Sequence, residues 1–178
     1  MQTRMEQDVR SGKEIPTRLT QTLRMLLKFG RVIIEATNEH QLLQSVCEFF
    51  VEKGGFRIAW VGYAESNSQK SIRLVAQAGD QDGILQNLNL TWGDADSKDT
   101  ASVAIRTGDA CCKQDSHVLS LPLKSDGIAF GALTLYADDL RQFDPDSAAL
   151  LEEWSDLFAH DNQRFAENGC EPLTSFFR

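Results

Sequence analysis

The spacing of apolar residues changes mode several times along this chain, and each change predicts a different element. Leu19, Leu23, Leu26, Leu27, Val32 or Ile33, and Ala36 recur at three- and four-residue steps, laying one apolar stripe along a helix from about Thr17 to Ala36. Such a stripe needs a partner surface. A second helix follows at once. Asn38 is placed to cap it through its side-chain oxygen, Gln41 stands three residues on as in a capping box, and Leu42, Leu43, Val46, Cys47 and Phe50 form its buried face. Gly54-Gly55 then supplies a left-handed stop.

Strand periodicities take over beyond that point. Phe56 to Tyr63 is apolar on both faces, as a central strand should be, and Ile72 to Ala78 sets Ile72, Leu74, Ala76 and Ala78 against Arg73, Val75 and Gln77. Glu65 to Gln69 is a polar turn between them. Asn87 to Trp92 reads as a short further strand, cut off by the polar run Gly93 to Lys98. A short helix follows, beginning near Asp99 or Thr100 and ending at Gly108. Cys111 and Cys112 fall next, on an edge strand. Val118 to Leu123 and Ile128 to Ala137 are apolar runs joined by Lys124-Ser125-Asp126-Gly127, whose Asp-Gly pair signals a tight hairpin. Asp144-Pro145 is a cap and first-turn pair, after which Leu150, Leu151, Trp154, Leu157, Phe158 and Phe165 mark a closing helix.

Composition narrows the function classes. In 178 residues with 42% apolar content there is room for one ordinary domain. The net charge of −8, from 18 basic and 26 acidic residues, leaves no basic stripe for phosphates or anionic lipid, so neither nucleic acid nor membrane is an expected partner. No apolar stretch approaches the ~20 residues a bilayer requires, and Met1 to Gly12 is polar, which predicts a cytoplasmic location. Cys47, Cys111, Cys112 and Cys170 lack metal-ligand spacing and are read as reduced thiols.

Taken in order, Gly54-Gly55-Phe56-Arg57-Ile58-Ala59-Trp60-Val61-Gly62, Ala104-Ile105-Arg106-Thr107-Gly108, Leu121-Pro122-Leu123, and Gly131 to Tyr136 followed by Phe143-Asp144 resemble a GAF domain. That module senses ligands in phosphodiesterases, phytochromes and sensor kinases. The resemblance covers Leu42 to Leu157. It implies an α+β fold: an antiparallel sheet of five or six strands, with helices near 17 to 36, 38 to 53 and 145 to 165 on one face and a short helix near 100 to 107 on the other. The organisation expected is a mobile lead-in over 1–16, an N-terminal helix over 17–37, the domain with its closing helix over 38–166, and a tail over 167–178.

Two departures stand out. Lys98-Asp99-Thr100-Ala101 replaces the Gly-Pro-containing helix start usual in such relatives. Between Asp115 and Val118 only Ser116 and His117 remain, where the family carries a long segment that lids its ligand cavity. A guest without that cover loses much of the enclosure that gives small-molecule sites their affinity. The expectation is a retained scaffold with weak or lost binding.

By the resemblance, Trp92, Thr100, Asp115 and His117 fall around the pocket mouth, Ala104 on the helix beside it, and Trp60 or Leu121 on its floor. Plain core is the first reading of Trp60 and Leu121, and a polar turn explains Asp115 and His117 as well as a ligand does. Cys111-Cys112 invites a redox reading, or an enzyme like the methionine sulfoxide reductases of the family, against which stands the tendency of free Cys to behave as a small hydrophobe. The separated cysteine set of those reductases is not reproduced. Asp80, Asp82, Asp94, Asp96 and Asp99 lack the ligand spacing of a calcium loop. His40 and His160 have no catalytic companion, and Cys112 is followed by Lys113 rather than the His of bilin-binding relatives. No phosphate loop, nucleophile elbow or paired-carboxylate signature appears. The sequence thus predicts a non-catalytic regulatory or sensor module in signal transduction, without cofactor or metal, forming a homodimer or meeting a signalling partner through its terminal helices.

Overall fold

A computed structural model of the chain describes residues 27–81, 83–85, 90–138 and 151–156. The elements run in the order helical residues 27–35 (α1), α2 (Glu39–Glu52), β1 (Ile58–Ala64), β2 (Ile72–Ala78), α3 (Thr100–Thr107), β3 (Cys111–Lys113), a 3-10 turn over Gln114–Ser116, β4 (Val118–Ser125), β5 (Ile128–Tyr136) and helical residues 151–156 (α4).

All neighbouring strands pair antiparallel, in the order β2-β1-β5-β4-β3. Interior β1 is buried along its whole length, as its apolar run predicts. Of the strand expected over Asn87 to Trp92, the described residues show one isolated bridge, Ser71 to Thr91, flanked by main-chain bonds from Ile72 to Leu90 (2.9 Å) and from Trp92 to Lys70 (2.8 Å). Among the described residues the sheet has five strands. Asp126 (φ 51°) and Gly127 (φ 80°) both take the left-handed conformation that the two-residue turn between β4 and β5 requires.

One face of the sheet carries α1, α2 and α4, and the other carries α3. On the first face, Phe29 of α1, Phe49 and Phe50 of α2, and Trp154 of α4 form one aromatic cluster, with Phe29 stacked on Trp154 at 5.1 Å between centroids. Rings at these offsets contribute about 0.5–1.5 kcal/mol per pair beyond their area burial. Here the structure corrects the predicted stripe of α1. Leu27 is 74% exposed, whereas Phe29, Ile33 and Ala36 face the core. Leu19, Leu23 and Leu26 lie outside the described residues, as do Leu150, Leu157, Phe158 and Phe165 of the closing helix.

Two local readings also shift by one position. Asn38 caps α2, accepting from Gln41 N–H at 2.9 Å, but the Gln41 side chain returns to the N–H and hydroxyl of Thr37 rather than to Asn38. In β2 a bulge opposite Val61/Gly62 breaks the alternation. Ile72 faces α3, Ala76 and Ala78 face the helical layer, and Leu74 is 41% exposed.

Candidate functional site

The paired register places one row of side chains straight across all five strands: Gln77, Trp60, Thr134, Ser120 and Cys111. Side chains alternate along each strand, so this row lies on the α3 face, and the next row belongs to the other. In the middle of the row, Ser120 Oγ donates to Thr100 Oγ1 of α3 at 2.8 Å and lies 2.8 Å from Thr134 Oγ1. All three hydroxyls are buried. Thr100 is held there because Asp99 caps α3, accepting from the Ser102 N–H and hydroxyl at 3.0 Å each.

Beside the hydroxyls lies Trp60, only 2% exposed, within an apolar layer of Ile58, Ala64, Leu85, Ala101, Ile105 and Ala132. Its six-membered ring covers Gly62, where an added Cβ would come within 2.7 Å of the Trp60 ring and 2.6 Å of Ile72. Among the described residues the indole N–H has no hydrogen-bond partner of ordinary geometry. Neither does buried Gln77 Oε1, at the position paired with Trp60. A sealed polar atom without a partner costs about 1–3 kcal/mol, so two in one wall need an explanation. Burial raises the Tyr136 phenol above its ordinary value. Asp99 adds to the rise and Asp80 does so less, while the Trp60 indole and Arg57 oppose it.

Of the residues singled out from the sequence, the structure brings Trp60 and Thr100 together on this face, with Ala104 buried on the same helix. Trp92 marks the rim at the opposite sheet edge, its Nε1 donating to Glu65 O at 2.9 Å and its ring under Lys70 Nζ at 4.9 Å. Asp115 is exposed in the 3-10 turn. His117 takes a left-handed conformation (φ 52°) and its carbonyl accepts from Ala137 N–H at 2.9 Å. These two lie at the β3 edge, away from Trp92. Leu121 is a correction: it belongs to the row Ala76, Val61, Leu133 and Leu121, behind the sheet among the helices. The sequence reading missed Gln77, Ser120, Thr134 and Tyr136. Ser120 and Thr134 had a signal, since each is a lone hydroxyl inside an apolar strand run.

The short connection between Asp115 and Val118 is confirmed as the 3-10 turn and His117, leading directly into β4. Leu85 and the half-buried Ile84 and Leu90 cover Trp60 from the segment after β2, where Asp80 accepts from the Ile84 and Leu85 N–H groups at 2.8 and 3.0 Å. A separate open cleft of about 210 Å³ lies at the β4 edge, between the loop Gly108–Ala110 and α4.

Cys111 and Cys112 point to opposite faces, the first half-buried and the second exposed. Burial raises the Cys111 thiol, with Cys112 and Asp99 adding to it, and burial raises Cys112 as well. Both shifts disfavour the thiolate that redox and nucleophilic chemistry needs. Among the described residues no cluster of three or more His, Cys, Asp or Glu side chains is placed to hold a metal ion.

No family model matches the sequence, and no curated protein matches it. Solved structures do. The chain superposes on the GAF domain of a phosphoenolpyruvate-protein phosphotransferase from Coxiella burnetii with a TM-score of 0.69 at 15% identity, covering 84% of this chain and 97% of that one. Free methionine-R-sulfoxide reductase from Neisseria meningitidis, solved with its substrate, gives 0.68 at 17% identity over 83% and 91%. The GAF domain of the potassium sensor histidine kinase KdpD from Escherichia coli gives 0.57 at 18% over 81% and 94%.

Proposed function

We propose, on the premise that this chain has the GAF fold, that it is a non-catalytic regulatory module in signal transduction which binds a small molecule weakly on the α3 side of its sheet. The observation that carries this reading is the β3-to-β4 connection of Gln114–His117, which is too short to fold over that face. A guest on that face gains no enclosure from this connection, so affinity is low. The GAF neighbours from a sensor kinase and a phosphotransferase support a regulatory role. For a ligand at ten times its Kd, linkage gives about 1.4 kcal/mol, which for a domain of this size is a rise of roughly 3–5 °C in melting temperature. A titration with cyclic nucleotides, nucleobases and amino acids followed by melting tests this. A panel that moves no transition removes the sensing role.

The same module dimerises through its terminal helices in this proposal. Leu27 and Ile34 are 74% and 77% exposed, seven residues apart, and therefore on one side of α1. Apolar side chains repeated at that interval on a solvated helix suit a parallel helical partner. A thiol switch at Cys111 and Cys112 is the weaker reading, because raised thiols at opposite faces suit neither rapid oxidation nor a shared ligand. The reductase neighbour supports it through fold alone. We place the module in the cytoplasm; among the described residues no helix is long and apolar enough to cross a membrane.

A further inference from the structure

We draw no further inference here: the strongest candidate, the open cleft at the β4 edge lined by Asp109, Lys124, Glu152 and Asp156, carries nothing beyond an acidic cluster, because Ser155, the buried polar side chain in its wall, already donates to Pro122 O and among the described residues no second feature of the cleft points to a ligand.

Discussion

Ser120 of β4 links α3 and β5 through hydroxyl contacts to Thr100 and Thr134 in a buried layer. Ser120→Ala removes one hydroxyl and leaves Thr100 and Thr134 each short of a partner, so the expected loss is about 1–3 kcal/mol in urea unfolding; an unchanged midpoint would show that the cluster is not stabilising. Gly62→Ala is expected to destabilise by a similar 1–3 kcal/mol through overpacking, since the new methyl would meet both Trp60 and Ile72 well inside contact distance. Cys47 supplies a pH effect. Its thiol is raised far above the ordinary range, chiefly by burial, then by Glu48, with a main-chain contact to Val61 opposing. The folded chain therefore holds a proton that the unfolded chain releases from about pH 8.5 upward. Its contribution to stability is complete below that range and is lost as pH climbs. Cys47→Ala should flatten the alkaline limb of melting temperature against pH; an equally steep limb would assign the effect elsewhere.

At the scale of elements, the helices were legible in proportion to how local their determinants are. The Asn38 cap, the buried face Leu42, Leu43, Val46, Cys47 and Phe50, and the left-handed Gly55 all act within α2 or one turn beyond it, and the structure shows each. Asn38→Ala is expected to cost about 0.5–2 kcal/mol by circular dichroism melts, with Asn38→Asp keeping most of the stability. The strands were legible as elements but not in register. The bulge in β2 moves Ala76 and Ala78 to the face opposite Ile72, a choice made by pairing with β1 and invisible to a simple alternation. On α1 the three- and four-residue steps were read as one stripe that included Leu27 and left out Phe29. Burial of Phe29 against Trp154, more than a hundred residues away in the chain, set the buried face instead.

For the molecule as a whole, Leu27 and Ile34 are exposed outside the domain core, where the proposed dimer would use them. The double change Leu27→Glu and Ile34→Glu should leave the monomer fold intact and shift light-scattering mass from dimer to monomer; a parent chain already monomeric at high concentration would end the proposed dimer. The candidate site was legible only in part for the same reason of scale. Trp60 and Thr100 carried a resemblance that could be read in line, but Leu121, the residue next to Thr134's partner Ser120 along β4, faces the helices. Gln77 and Tyr136 gave no signal because their place depends on register, Gln77 opposite Trp60 and Tyr136 opposite Ile58, two residues before Trp60.

Local chemistry, in the form of caps, turn residues and apolar periods, determined from sequence alone that this chain makes an α+β domain, while a shortened cover over one face was what the GAF resemblance implied. Those determinants act over a few residues, so they survive in a linear reading. Which side chains share a face, and which polar atoms end up buried, was settled only by strand register and by helices meeting across the sheet, because those contacts are chosen jointly by segments distant in the chain.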